Sequence, residues 1–204
     1  MSGNKAIFLD RDGTINIDKD YLYHIQDFTF IPKAPETMKL LQDAGYKLII
    51  ITNQSGIARG YYTEEDYKLL NDWLLSTLKD QYDVHITASY YCPHHPEAVV
   101  SAYRVDCNCR KPKLGLFERA IKDFDIDLSR SYAIGDKLRD LAICGRQESL
   151  SGINNGCKGF LVGNKESDDV INRVKAGEIE NIRYAKSLYE AAVAIISSPI
   201  TSVL

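Results

Sequence analysis

The run Lys47–Thr52, "KLIIIT", does not alternate between apolar and polar residues. A strand that is apolar at every position must be covered on both faces, which is the signature of a central strand in a parallel sheet. A shorter run of the same kind, "KAIFL", spans Lys5–Leu9, and "SYAIG" opens at Ser131. All three stop abruptly in polar clusters: Asp10-Arg11-Asp12-Gly13-Thr14, Thr52-Asn53-Gln54-Ser55-Gly56, and Gly135-Asp136-Lys137.

Helical patterns lie between these strands. Residues 35–44 read as a helix, with Pro35 in its first turn and Gly45 as its stop. Residues 63–79 read as another, capped by Thr63 with Asp66 three positions on. Leu69, Leu70, Trp73, Leu74 and Leu78 recur there at helical spacing, so Trp73 is read as core rather than binding site. Residues 88–92 read as a third strand, 113–124 as a helix, and "KGFLVG" from Lys158 as a fifth strand. Residues 185–197 read as a terminal helix with a frayed "SSPITSVL" tail. Residues 141–156 carry many breakers and read as a broken helix plus a loop. Strands alternating with helices make this an α/β chain with a doubly wound parallel sheet, in one domain spanning 1–204.

In such sheets ligands bind beyond the carboxyl ends of the strands, so the three polar clusters should share one crevice. Hard oxygen ligands there suit Mg2+ and a phosphate. One aspartate can act as nucleophile, and a second, two residues on, as general acid and then base. A D-x-D-G tetrapeptide alone is equally well a turn. Its company at the other two strand ends is what gives it chemical weight.

A 204-residue chain with 45% apolar and 26% charged residues and a net charge of -3 is a globular protein. It has no long basic block, which argues against nucleic acid as the main partner. No signal peptide or membrane span is evident, so a cytoplasmic location is expected. Five cysteines cannot all pair within the chain. Cys92, His94, Cys107 and Cys109 form a C-x-H…C-x-C set, enough soft and borderline ligands for a closed tetrahedral Zn2+ site. His95 competes with His94, but C-x-H matches the spacing of C-x-C. Cys144 and Cys157 lie outside the set and read as small core or surface residues.

Four strings, "FLDRDGT", "ITNQSG", "CRKPKLGL" and "GDKLRD", resemble the motifs of haloacid-dehalogenase-type phosphatases, and the likeness runs from Ala6 to about Leu141. It is strongest to members that act on heptose 1,7-bisphosphate, through "TNQSGIARG", "YYCPHHPE" and "CNCRKP". The resemblance implies a Rossmann-like core without a large cap domain and a zinc-stapled loop at about 92–109. It implies Asp10 as nucleophile, Asp12 as general acid and base, and Thr52 and Lys111 as holders of the transferring phosphoryl group. Mg2+ would be held by the Asp10 carboxylate, the Asp12 main-chain carbonyl and Asp136; structural Zn2+ would be held by Cys92, His94, Cys107 and Cys109. Asp18, Lys19, Asp20 and Tyr21, with Asn53, Gln54 and Ser55, would line the substrate pocket. Arg110 and Lys137 would contact the substrate at its second phosphate.

Arg11 is expected to face away from the two aspartates. Asp140 is expected either to support the Mg2+ site from behind or to serve as a first-turn acid. The implied activity removes the C7 phosphate of a sugar bisphosphate through an aspartyl-phosphate, in a monomer that binds no nucleic acid and no membrane. The alternatives are histidinol-phosphate hydrolysis, disfavoured by the long "HPEAVVSAYRVD" insert, and a catalytically silent zinc-stapled binding module.

Overall fold

The structure, a computed structural model, describes residues 3–144 and 156–197. Six strands, β1 (Ala6–Leu9), β2 (Lys47–Asn53), β3 (Ile86–Cys92), β4 (Tyr132–Gly135), β5 (Lys158–Val162) and β6 (Ile182–Ala185), form one sheet in the order β3-β2-β1-β4-β5-β6. All five pairings are parallel. β1 sits in the middle, with Phe8 opposite Ile49 on one side and Ala133 on the other.

Burial on both faces explains the apolar runs. Along β1 and β2, Ile7, Leu9, Leu48 and Ile50 enter one core. Ala6, Phe8, Ile49 and Ile51 enter the other. Helices α1 (Ala34–Asp43), α3 (Glu64–Tyr82) and α6 (Leu188–Ser197) cover the first face through Met38, Leu41, Leu74, Leu78, Ala192 and Ile195. Helices α4 (Gly115–Phe124) and α5 (Asp168–Lys175) cover the second through Phe117, Ala120, Ile171 and Val174. Phe8 meets Phe117 edge-on at 5.4 Å, so truncating Phe8 to alanine would cost ~3–5 kcal/mol. Trp73 packs against the first core, 5.1 Å from Phe28, and is a packing residue.

Local signals behave as their chemistry requires. Thr63 and Asp66 form the reciprocal cap of α3. Pro35 occupies the first turn of α1, and Gly45 follows it at a φ of 84°. Several boundaries differ, and α3 runs on to Tyr82 rather than 79. Strand β3 begins at Ile86 rather than 88. Helix α4 begins at Gly115 rather than 113, because the chain first brings Gly115 N onto the Asn108 carbonyl at 2.9 Å. The terminal helix begins at Leu188, because Ala185 ends β6.

Three elements were not expected from sequence: β6, α5 and the one-turn helix α2 (Ser55–Ala58). Leu141–Cys144 belongs to a 3-10 helix from Leu138, while 145–155 and 198–204 lie outside the described residues. Cys144 and Cys157 are both fully buried core residues, with Sγ atoms 3.4 Å apart. Among the described residues no helix is long and apolar enough to cross a membrane.

Candidate active site

The carboxyl ends of β1, β2 and β4 meet in a cleft of about 400 Å3 lined by Asp10, Asp12, Thr52, Asn53, Gln54, Asp136 and Asp140, among others. Its floor is a buried charge cluster. Lys111, 2% exposed, lies 2.7 Å from Asp10 Oδ1 and 2.7 Å from Asp140 Oδ1, and donates to the Ile51 carbonyl at 2.6 Å. Asn53 fixes the Lys111 backbone in both directions: its Oδ1 accepts from Lys111 N at 3.0 Å and its Nδ2 donates to Lys111 O at 3.1 Å. β2 thus carries the lysine to the tip of β1, across more than fifty residues of intervening sequence.

Asp10, Asp136 and Asp140 have oxygens that all lie within 4.8 Å of one another. Burial, followed by the charges of Asp140, Asp136 and Asp12, pushes the Asp10 carboxyl up to about 8, with Lys111 opposing. Burial and the Asp140 and Asp18 charges push Asp136 up to about 7. Burial pulls Lys111 down, but its two carboxylate partners prevail and hold it above the usual range. The cluster therefore holds more carboxylates than one ammonium can keep ionised, and its hard oxygen donors suit a divalent cation. Backbone shape allows the crowding: a Cβ on Gly13, whose φ is 86°, would land on the Asp136 carboxylate.

Asp12 is differently placed. Its carboxylate accepts from Arg11 Nη2 at 2.8 Å, Asn16 Nδ2 at 2.9 Å and Gln54 Nε2 at 3.0 Å. Burial would raise it, but the Arg11 guanidinium and these hydrogen bonds hold the carboxyl below the ordinary range. Arg11 therefore does not face away from both aspartates. It is 1% exposed, pairs with Asp12 and lies over the Tyr67 ring at 5.6 Å. A buried guanidinium needs a counter-charge, and Asp12 is the carboxylate within reach. Gln54 Nε2 also reaches Thr52 Oγ1 at 2.8 Å, and its Oε1 accepts from the Tyr62 hydroxyl at 2.6 Å.

Asp18, Asp20, Tyr21, Ser55, Arg110 and Lys137 all line the cleft. Lys19 does not: its ammonium donates to the Asp27 carbonyl at 2.6 Å and to Thr29 Oγ1 at 3.3 Å. The left-handed turn through Asp20 and Tyr21, with φ of 48° and 59°, lies between Lys19 and the rest of this loop. Lys137 lines the cleft while its ammonium is engaged by the Lys165 carbonyl. Arg59, Tyr62, His95 and Arg139 are cleft residues that the sequence reading missed.

Cys92, His94, Cys107 and Cys109 have ligating atoms within 4.8 Å of one another. Cys92 Sγ lies 3.6 Å from Cys107 Sγ and 3.2 Å from Cys109 Sγ, and His94 Nδ1 lies 3.3 Å from Cys109 Sγ. A tetrahedron with bonds of ~2.3 Å has sulfurs ~3.8 Å apart, so the set fits zinc closely. His95 stands outside this set; its Nδ1 instead accepts from Glu97 N at 3.1 Å. The loop is also tied to the fold by protein contacts. Val99 N and Val100 N both donate to the Ala58 carbonyl at 3.0 Å, and Tyr103 donates to Glu64 at 2.9 Å.

The chain is similar to known proteins along most of its length. A family model described as polynucleotide kinase 3 phosphatase matches residues 5–148, and one described as HAD-hydrolase-like matches 108–191. The D-glycero-beta-D-manno-heptose-1,7-bisphosphate 7-phosphatase of Haemophilus ducreyi is 52% identical over 139 residues, covering 68% of this chain and 76% of the relative. The D-glycero-alpha-D-manno-heptose-1,7-bisphosphate 7-phosphatase of Photorhabdus laumondii is 47% identical over 137 residues, covering 67% and 74%. The crystal structure of D,D-heptose 1,7-bisphosphate phosphatase from B. bronchiseptica, complexed with magnesium and phosphate, superposes with a TM-score of 0.74 at 28% identity, covering 94% of this chain and 98% of that one.

Proposed function

The chain belongs to the HAD-like phosphatases that the polynucleotide kinase 3 phosphatase model describes, together with the D-glycero-D-manno-heptose-1,7-bisphosphate 7-phosphatases, and on that premise we propose that it removes the C7 phosphate of heptose 1,7-bisphosphate and leaves the 1-phosphate. The observation that carries this reading is the convergence of Asp10, Lys111 and Asp136 at one end of the sheet. Asp10, Asp136 and the Asp12 carbonyl would hold magnesium, which would supply neutralisation of the phosphoryl charge. Asp10 attacks phosphorus and the bond to the sugar oxygen breaks. That oxygen takes a proton from Asp12. Water then attacks the aspartyl-phosphate, giving its proton to Asp12 as the Asp10–phosphorus bond breaks. Thr52 and Lys111 hold the phosphoryl oxygens throughout.

Asp12 is a poor acid while Arg11, Asn16 and Gln54 hold it charged. It therefore acts after leaving them for the leaving-group oxygen. The phosphate's charge and the loss of the guanidinium both raise its proton affinity there. Zinc bound by Cys92, His94, Cys107 and Cys109 is structural in this reading, since four protein ligands leave no open position. It fixes the loop that ends in Arg110 and Lys111. With no large cap over the cleft among the described residues, residues 15–33 and the zinc loop set specificity.

Histidinol phosphate carries a cationic amine. In this cleft it meets Arg110, which has no carboxylate partner among the described residues. The test is phosphate release from both heptose bisphosphate anomers and from histidinol phosphate, with magnesium. The expected result is a higher kcat/KM on a heptose bisphosphate. A preference for histidinol phosphate contradicts the substrate assignment, and no turnover of any phosphate supports the silent binding module.

A further inference from the structure

We propose that Arg59, with His95 and Arg110, forms a second anion subsite that grips the phosphate the enzyme retains, and that Arg59 is the residue that makes this enzyme selective for a bisphosphate. The inference rests on the phosphatase reading above and deepens it by assigning the second phosphate a place.

Besides Lys111 at its floor, the cleft is lined by five basic side chains: Arg59, His95, Arg110, Lys137 and Arg139. They are not equally free. Lys137 spends its ammonium on the Lys165 carbonyl, and Arg139 Nε stands 3.9 Å from Asp140. Arg59 has no carboxylate partner among the described residues, and its Nε is buried without any hydrogen-bond partner. Arg110 donates to the His94 carbonyl at 3.2 Å and has no carboxylate partner among the described residues. A half-buried arginine close to another arginine, with its Nε left over, is a poor arrangement until an anion arrives.

Two loops bring these groups together. Arg59 closes α2, just beyond the second strand's polar cluster. His95 and Arg110 flank the zinc ligands. The loops are joined where Val99 and Val100 donate to the Ala58 carbonyl, one residue before Arg59. His95 is set as a donor. Because its Nδ1 accepts from Glu97 N, the neutral ring carries its proton on Nε2. Away from the catalytic carboxylates, Asp18 and Asp20 on the loop after β1 also line the cleft and repel a phosphate. A dianion that is not the one at Asp10 therefore finds its donors on the zinc-loop side, in a geometry an arginine can meet with two parallel hydrogen bonds.

The test compares kcat/KM for heptose 1,7-bisphosphate with that for p-nitrophenyl phosphate, which carries only the reacting phosphate. Arg59→Gln is expected to lower this selectivity ~10–100-fold, with Arg59→Lys falling in between. Calorimetric binding of the heptose 1-phosphate product gives a second readout that needs no turnover, and Arg59→Gln should weaken it at least ~10-fold. Far-ultraviolet circular dichroism and melting of each variant check the fold; if Arg59→Gln melts early, Arg59→Lys and His95→Gln carry the comparison. A wild type that prefers no bisphosphate overturns the substrate reading and this subsite with it. A wild type that prefers the bisphosphate, with variants that keep the preference and the product affinity, overturns the subsite alone.

Discussion

The two chemical centres of this molecule are built in opposite ways. At the ends of β1, β2 and β4, the reactive groups are continuations of core strands. Asp10 follows Leu9 directly, and Asp10 N donates to the Ile134 carbonyl at 3.0 Å. Lys111 is clamped by Asn53 from the neighbouring strand. The zinc loop has only one turn of 3-10 helix, Ser101–Tyr103, between β3 and α4. Its shape depends on four ligating side chains and a few backbone bonds to α2. The sheet edge inherits its precision from packing, whereas the loop, in the zinc-bound form we propose, would be closed by an ion. Losing a group at the first should stop chemistry and spare the fold; losing one at the second should loosen the fold locally and misplace Arg110 and Lys111.

The largest expected effect separates the two at once. Asp10→Asn should lower kcat by on the order of 10^4 or more, since it removes the nucleophile. Its melting temperature should stay level or rise, because one of several crowded carboxylates is gone while Lys111 keeps Asp140. A variant that unfolds would mean the sheet edge is not independently rigid. Next comes Cys107→Ser, or removal of zinc. Either should cost ~10–100-fold in kcat/KM and lower the melting temperature, and added magnesium should not restore activity. Full activity in zinc-stripped protein would erase the distinction between the regions.

A third test reads the charge cluster through pH. Asp10 and Asp136 are raised to about 8 and about 7 in the folded chain, well above their unfolded values. Between roughly pH 4 and 8 the unfolded chain has lost protons that the folded chain keeps, so stability falls as pH rises through that window. In zinc-loaded, magnesium-free protein, the melting temperature should be lower at pH 8 than at pH 5.5. Magnesium should raise it more at pH 8, where it replaces the missing protons. An equal magnesium effect at both values would remove the cation from the cluster. The smallest effect is that of Tyr62→Phe. Deleting the hydroxyl that holds Gln54 should lower kcat ~2–10-fold, the worth of one buried hydrogen bond, by loosening the cradle of Asp12.

The same contrast explains what the sequence made legible. The strands that carry Asp10, Thr52 and Asp136 were readable because a strand buried on both faces leaves an unbroken apolar run. β6 was not, since "IRYA" is a four-residue edge strand with an exposed Arg183. The Cys/His set was readable from its spacing, and the structure brings Cys92, His94, Cys107 and Cys109 together without His95. Arg59 and His95 were not assigned to the cleft because their membership depends on how the zinc loop docks on Ala58, a tertiary fact that no local pattern encodes. Lys19 was misassigned for a related reason: proximity to Asp18 along the chain says nothing about which way its side chain turns. Arg11 illustrates the limit of alternation arguments, because the strand ends at Leu9 and the next residues follow turn geometry.

The proposed chemistry turns on Asp10 being the group that bonds to phosphorus. Turnover with heptose 1,7-bisphosphate and magnesium, quenched with borohydride, reduces an acyl phosphate to the alcohol, and peptide mass spectrometry locates the modified residue. The structure predicts homoserine at position 10 and at no other carboxylate. Modification at Asp12, Asp136 or Asp140, or steady hydrolysis with position 10 always intact, would contradict it.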